Sequence, residues 1–235
     1  MTIQSDVYTI ILLTILLSIG IVVIAKKFDQ ADPLEKPKGI LVPVLWAVNS
    51  VYTTVKDNAG NKYADSLTPY ILVLWCYIFC ANIISLFGLS SPTSNLSVTL
   101  FLAFVTWLLI QIVEFKYQGV GGYFHSFLEP IAVMLPMNIF GKFSTMVSMS
   151  LRLFGNILCG GIMMQLIYSF CQWISNSLVS LFTTVNGNVF NFMAPVIAPV
   201  LHAYFDLFAG FIQTLVFVTL TVVLIGNDIP EEVKK

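Results

Sequence analysis

The chain has 235 residues, 57% of them hydrophobic and only 10% charged, with a formal net charge of −1. Soluble domains carry about 25% charged residues, so the composition excludes an ordinary water-soluble fold. It also offers no basic excess for nucleic acid. It describes one all-α polytopic membrane domain over residues 1–235.

In chain order, Val7–Ala25 supplies about 19 apolar residues, enough to cross about 30 Å of hydrocarbon. It has no basic leader and is followed by Lys26 and Lys27, so it reads as a retained span rather than a signal peptide. Residues 26–66 form a lysine-bearing polar connection. Within it, Val42–Val55 is amphipathic and is expected on the membrane surface, with a stop at Asn58–Asn61. The helical core runs over residues 67–227. Leu67–Leu89 is the second span, opened by Pro69, and Leu96–Phe115 is the third. Tyr117–Ser126, with Gly119, Gly121 and Gly122, is expected to be a flexible turn. Phe127–Phe140 carries Pro130 and Pro136 and is too short for a clean span, so it reads as shallow or re-entrant. Gly141–Trp173 is a helix of about 50 Å, too long for a perpendicular crossing and therefore steeply tilted or bent. Ile174–Asn191 includes a loop with Asn186, Gly187 and Asn188. Phe192–Ile225 is again long, with Pro195 and Pro199 near its start, and residues 228–235 are a polar tail. The reading is about five crossings, an amphipathic or re-entrant segment, and a final tilted hairpin.

Arg152 lies deep in this apolar background. A charge at mid-membrane costs about 2.5–3.5 kcal/mol on insertion scales, and an arginine does not escape by losing its proton. It must therefore be paired, face water, or face a partner's carboxylate. Asn156 follows one helical turn later, and Cys159, Gly160 and Gly161 continue with little bulk, which allows close helix contact. In the last segment His202, Asp206 and Gln213 are spaced to fall near one helical stripe, with small Ala209 and Gly210 between them. In an antiparallel pair Gln213 comes roughly level with Arg152, and Asp206 nearer the outer side, close to Gly161. Glu114, His125 and Glu129 are expected toward the cytoplasmic side. The four cysteines lie in apolar segments and read as packing. The two histidines have no neighbouring ligand set, so no metal is expected.

Alternating the spans places every lysine on one side, which the positive-inside rule makes cytoplasmic. The N-terminus then lies outside and the C-terminus in the cytoplasm, in a cell membrane.

The motif Ser150-Leu-Arg-Leu-Phe-Gly-Asn156, followed by Gly160 and by Gln213 in the last helix, resembles the a subunit of F-type ATP synthases. Pro69, the Ala81-Asn-Ile-Ile stretch and Asn95-x-Ser-x-Thr99 support the resemblance, which covers most of the chain. It implies an ion-conducting stator with no catalytic chemistry and no cofactor of its own, packed against a rotating c-subunit ring. The other implied partners are the b subunits of the peripheral stalk, the rest of the complex and membrane lipid. By resemblance Arg152 is the arginine opposite the ring carboxylate, and Asn156 and Gln213 are its polar companions. Asp206 stands where many members have His or Glu, Gly161 where many have Glu, and Asn138 replaces a common Glu. Cys159, Gly160, Gly161, Ala209 and Gly210 would pack closely on the ring. Glu114, Glu129 and Asn138 would line a cytoplasmic half-channel. Proton is the expected coupling ion, with sodium as the alternative. A free-standing secondary transporter is a different reading, but it predicts internal repeats, and the sequence has no visible repeat.

Overall fold

The structure, a computed structural model, describes residues 5–30, 39–128, 132–180 and 191–230. Among these the regular elements are all helical: α1 (Ser5–Asp29), α2 (Leu41–Ala59), α3 (Asn61–Ile83), α4 (Leu96–Leu128), α5 (Leu135–Ser180), α6 (Ala194–His202) and α7 (Gly210–Asn227). Five helical stretches are long and apolar enough to cross a membrane: 7–29, 61–87, 96–128, 135–180 and 194–227. The chain is thus an all-α polytopic membrane protein.

α1 is apolar all round and buries little. Leu13 packs on Ala81 and Ile84 of the second span, while Ile11, Ile15 and Ile19 are more than half exposed, as suits a helix solvated by lipid. The stop after α2 is where the sequence puts it. Gly60 takes φ 86°, open to glycine and few others, and its N–H bonds the Lys56 carbonyl at 2.9 Å. The chain then restarts at once, so α3 begins at Asn61, inside the stretch read as connection, and Pro69 lies within the helix rather than opening it. The surface-helix expectation for 42–55 also needs correcting. Trp46 is 75% exposed, but Val55 and Ala59 are fully buried with Ile71, Val222 and Ile225. One end of α2 is therefore part of the protein core.

The turn expected at 117–126 is instead one break within a helix. At Gly119 (φ 67°, ψ 174°) α4 interrupts and resumes to Leu128. The returning piece is held by Tyr123, whose hydroxyl donates to Gln111 Oε1 at 2.7 Å. Of the expected shallow segment 127–140, residues 129–131 lie outside the described residues and the rest is helical. After a short 3₁₀ turn at Ala132–Met134, α5 begins at Leu135 with Pro136 in its first turn, where its missing N–H costs nothing. α5 also runs past Trp173 to Ser180, so residues 174–180 are helix. Its 46 residues span about 69 Å, which strengthens the case for a steep tilt. The loop around Asn186 lies outside the described residues, as do 231–235 of the tail. Ile229 of that tail is buried in the core.

α4 shows how the helices meet. Its buried positions Thr99, Ala103, Thr106, Ile110 and Glu114 recur every three or four residues. The hydroxyls on this stripe bond across helices, Thr99 to Ser150 at 3.2 Å and Thr106 to the Tyr70 hydroxyl at 3.1 Å. Small residues and interhelical hydroxyls replace the hydrophobic drive that lipid removes. The centre is closed by Leu74, Ile78, Ala103, Met149, Leu153 and Phe217.

Candidate functional site

α5 and the α6–α7 segment form an antiparallel hairpin whose register rests on three contacts. The Tyr168 hydroxyl lies 3.1 Å from His202 Nε2. A Cβ on Gly160 would sit 3.6 Å from that of Phe205. Met149 and Leu153 pack against Phe217. Between the last two contacts Arg152 comes level with the turn Gln213–Phe217, and Asp206 falls near Gly160 and Gly161.

Arg152 is exposed, beside fully buried Leu153. The surface around it is apolar: Leu151, Leu158 and Ile162 on α5, Ile212 and Leu215 on α7, are each 38–49% exposed. Among the described residues no hydrogen bond or ion pair engages its guanidinium, and Asp206 is bonded elsewhere. Nearby, Asn156 Nδ2 and Gln213 Nε2 are buried donors without a partner among the described residues. Such groups are costly unless something completes them.

The expected stripe of His202, Asp206 and Gln213 is broken. Residues Ala203–Ala209 form a π-helical turn between α6 and α7. A π-turn takes in one extra residue, so Gln213 occupies the angular place residue 212 would have in an unbroken α-helix. Gln213 turns inward and is 9% exposed. His202 and Asp206 stay together, Nδ1 to Oδ2 at 2.7 Å, with side chains 37% and 15% exposed. With Tyr168 they make a chain of three proton-carrying groups. His202 also lines an open crevice of about 590 Å³ with Ser85, Gly88, Pro199 and Leu207. Tyr168 gives no sequence signal, because an aromatic residue in an apolar helix looks like packing.

The five small residues do not share one outward face. Cys159 and Gly161 are exposed and Ala209 is half-buried, but Gly160 and Gly210 are buried. Gly160 packs on Phe205, and a Cβ on Gly210 would approach that of Asn82 to 3.0 Å. Their smallness serves close approach within this chain.

Of the candidate cytoplasmic residues, Glu114 is 5% exposed and paired with Lys142. The ammonium also lies 4.5 Å from the Tyr123 ring centre and 4.4 Å from that of Phe127, and Trp107 Nε1 donates to the Lys142 carbonyl at 3.0 Å. Asn138 donates to the Phe127 carbonyl at 2.9 Å. Glu129 lies outside the described residues. Asp228, just past α7, has its pKa pushed up to about 6 by burial and by Glu114, against a lowering pull from Lys142. The sequence reading missed both Lys142 and Asp228 as partners of Glu114.

Fold and site define a membrane-embedded helical hairpin carrying a cation, Arg152, with no ion-pair partner among the described residues, on an apolar face with buried polar groups behind it. That arrangement belongs to ion-translocating membrane subunits. The family model described as ATP synthase A chain matches residues 7–226, and the chain belongs to that family. Curated relatives agree. ATP synthase subunit a of Mycoplasma genitalium is 35% identical over 206 residues, covering 83% of this chain and 69% of that protein. That of Oceanobacillus iheyensis is 31% identical over 206 residues, covering 84% and 80%. A sodium ion specific ATP synthase subunit a from Propionigenium modestum is 28% identical over 212 residues, covering 83% and 64%. The chain is thus a multi-pass membrane subunit of an F-type ATP synthase, a component of its Fo sector rather than a seat of catalytic chemistry.

Proposed function

We propose that this chain is the ion-conducting stator that loads and unloads carboxylates on a rotating c-subunit ring, through two offset half-channels. The observation that carries the reading is Arg152, exposed on an apolar face of a membrane helix and without an ion-pair partner among the described residues. A permanent cation there is costly unless water reaches it or an anion is brought to it, and its apolar surroundings favour the second. A ring carboxylate in lipid keeps its proton, since desolvation raises its pKa by about 3–5 units. At about 4 Å from Arg152 and an effective dielectric near 20, the attraction is roughly 4 kcal/mol, or about 3 pK units. The two effects are of similar size and opposite sign, so passage beside Arg152 switches the carboxylate from holding its ion to releasing it. A membrane potential supplies about 2.3 kcal/mol per charge per 100 mV.

The outer half-channel is the crevice at His202, leading through Asp206 toward Gln213 and Asn156. The cytoplasmic one leaves past Asn138, with Glu114 and Glu129 as candidates. The ion is H⁺ in this reading. The Propionigenium modestum relative keeps Na⁺ as the alternative, since the selecting ligands belong to the ring. The lysine distribution puts the N-terminus outside and the C-terminus in the cytoplasm of a cell membrane. The b subunits of the peripheral stalk hold the chain against rotation.

The test is Arg152→Ala and Arg152→Lys in the assembled complex. ATP-driven ion pumping in vesicles should disappear in both, with the complex still assembled. Normal pumping by either variant ends the reading.

A further inference from the structure

We propose that Asn82 is a positioning residue: its carboxamide locks the π-helical turn Ala203–Ala209 and thereby sets where His202 and Asp206 stand relative to Arg152. The inference rests on the stator reading and extends it to α3, outside the hairpin.

Asn82 is fully buried near the end of α3. Its Nδ2 donates to the Gly210 carbonyl at 3.2 Å and to Thr214 Oγ1 at 3.4 Å. Its Oδ1 accepts from Thr93 Oγ1 at 3.1 Å. Thr93 Oγ1 in turn lies 2.8 Å from Ser91 Oγ, which donates to the Ala81 carbonyl at 2.6 Å. Thr214 Oγ1 donates to the Gly210 carbonyl at 2.8 Å. The Gly210 carbonyl can only accept, so it requires the Nδ2 end of the amide to face it. The Gly210 carbonyl, the first beyond the π-turn, thus accepts two side-chain bonds. Glycine at 210 lets the backbone come this close, since a Cβ there would already press on Asn82.

A π-turn is a rare geometry that needs local support. Beyond Gly210 the chain is anchored by Phe217, Val222 and Ile225, each 2% exposed or less. If the turn tightened to ordinary α-helix, the residues before Gly210 would be the ones to move, by about one residue's rotation, or roughly 100°. His202 would leave Tyr168 and the crevice, taking its partner Asp206 with it, and Phe205 would leave Gly160.

That geometry makes its own reporter. A Cβ on Gly160 lies 3.6 Å from that of Phe205, inside the disulfide range of about 3.5–4.5 Å. The pair Gly160→Cys/Phe205→Cys is built in the assembled complex, in a chain whose four own cysteines are replaced by serine. It should cross-link under mild oxidation. Adding Asn82→Leu should lower the cross-linking rate about tenfold or more, the scale of losing a buried hydrogen-bonded amide. Without the reporter cysteines, Asn82→Leu should lower ATP-driven pumping per assembled complex by a similar factor while ATP hydrolysis continues. Thr93→Val, which keeps Asn82 but removes the hydroxyl that holds its Oδ1, should lower both several-fold and assemble more readily. Cross-linking and pumping at the original rates in whatever complex assembles from either variant overturn the proposal. Arg152→Ala run alongside separates the two ideas. If it pumps, the stator reading fails while cross-linking still reports on Asn82. If it does not pump and the Asn82 and Thr93 variants behave as wild type, only this inference falls.

Discussion

Two charges at residue scale have opposite fates. Arg152 engages no carboxylate among the described residues, whereas Lys142 is satisfied within the chain by Glu114 and two aromatic faces. Breaking a buried pair strands one charge, which costs more than the pair itself contributes. Lys142→Met should therefore destabilise by about 3 kcal/mol, at the low end of that range because Lys142 keeps some solvent. The double variant with Glu114→Gln should recover most of the loss. Thermal unfolding of the detergent-solubilised complex reads both, and equal losses in the single and double variants would show that the pair is uncoupled. The lysine was legible in the sequence only as a topology marker, because its partner lies 28 residues away.

Among the elements, the helix ends and crossings rest on individual glycines rather than on their number. Gly226 at the end of α7 crosses the end of α2 so closely that an added Cβ would lie 2.6 Å from the Asn58 carbonyl oxygen and 3.0 Å from its carbon. Backbone atoms cannot turn aside as a side chain can. Gly226→Ala should cost about 1–3 kcal/mol by forcing α2 and α7 apart. Gly141→Ala, in α5 with open space around it, should be neutral or slightly stabilising through helix propensity. A larger midpoint shift for Gly141→Ala than for Gly226→Ala would refute the packing argument.

At the scale of the whole molecule, α4, α5 and the end of α7 converge on one partly buried charge cluster. Asp228 there has a pKa raised to about 6 from an ordinary 3.8. The folded state holds that proton more tightly than the unfolded chain does. Its stabilising share is therefore complete below about pH 4 and lost as pH rises through about 6. Glu114 acts on it from α4 and Lys142 from α5. Amide exchange over residues 222–230, corrected for intrinsic rates, should show more protection at pH 5 than at pH 7.5. Asp228→Asn should flatten that difference, and an unchanged profile in the variant would remove Asp228 from the account.

Composition and hydropathy by themselves determined the membrane class, the five long apolar segments, the stop after α2 and the lone arginine with its polar companions in an antiparallel hairpin. Those features depend on what each residue is and on its neighbours a turn away. Only the tertiary structure decided that α4 continues past Gly119, that Gly160 and Gly210 face inward, and that Glu114 meets Lys142. It alone showed the π-turn swinging Gln213 away from Asp206. The reason is physical: these outcomes depend on which distant backbones come close enough to exchange hydrogen bonds, and helical periodicity has no record of that.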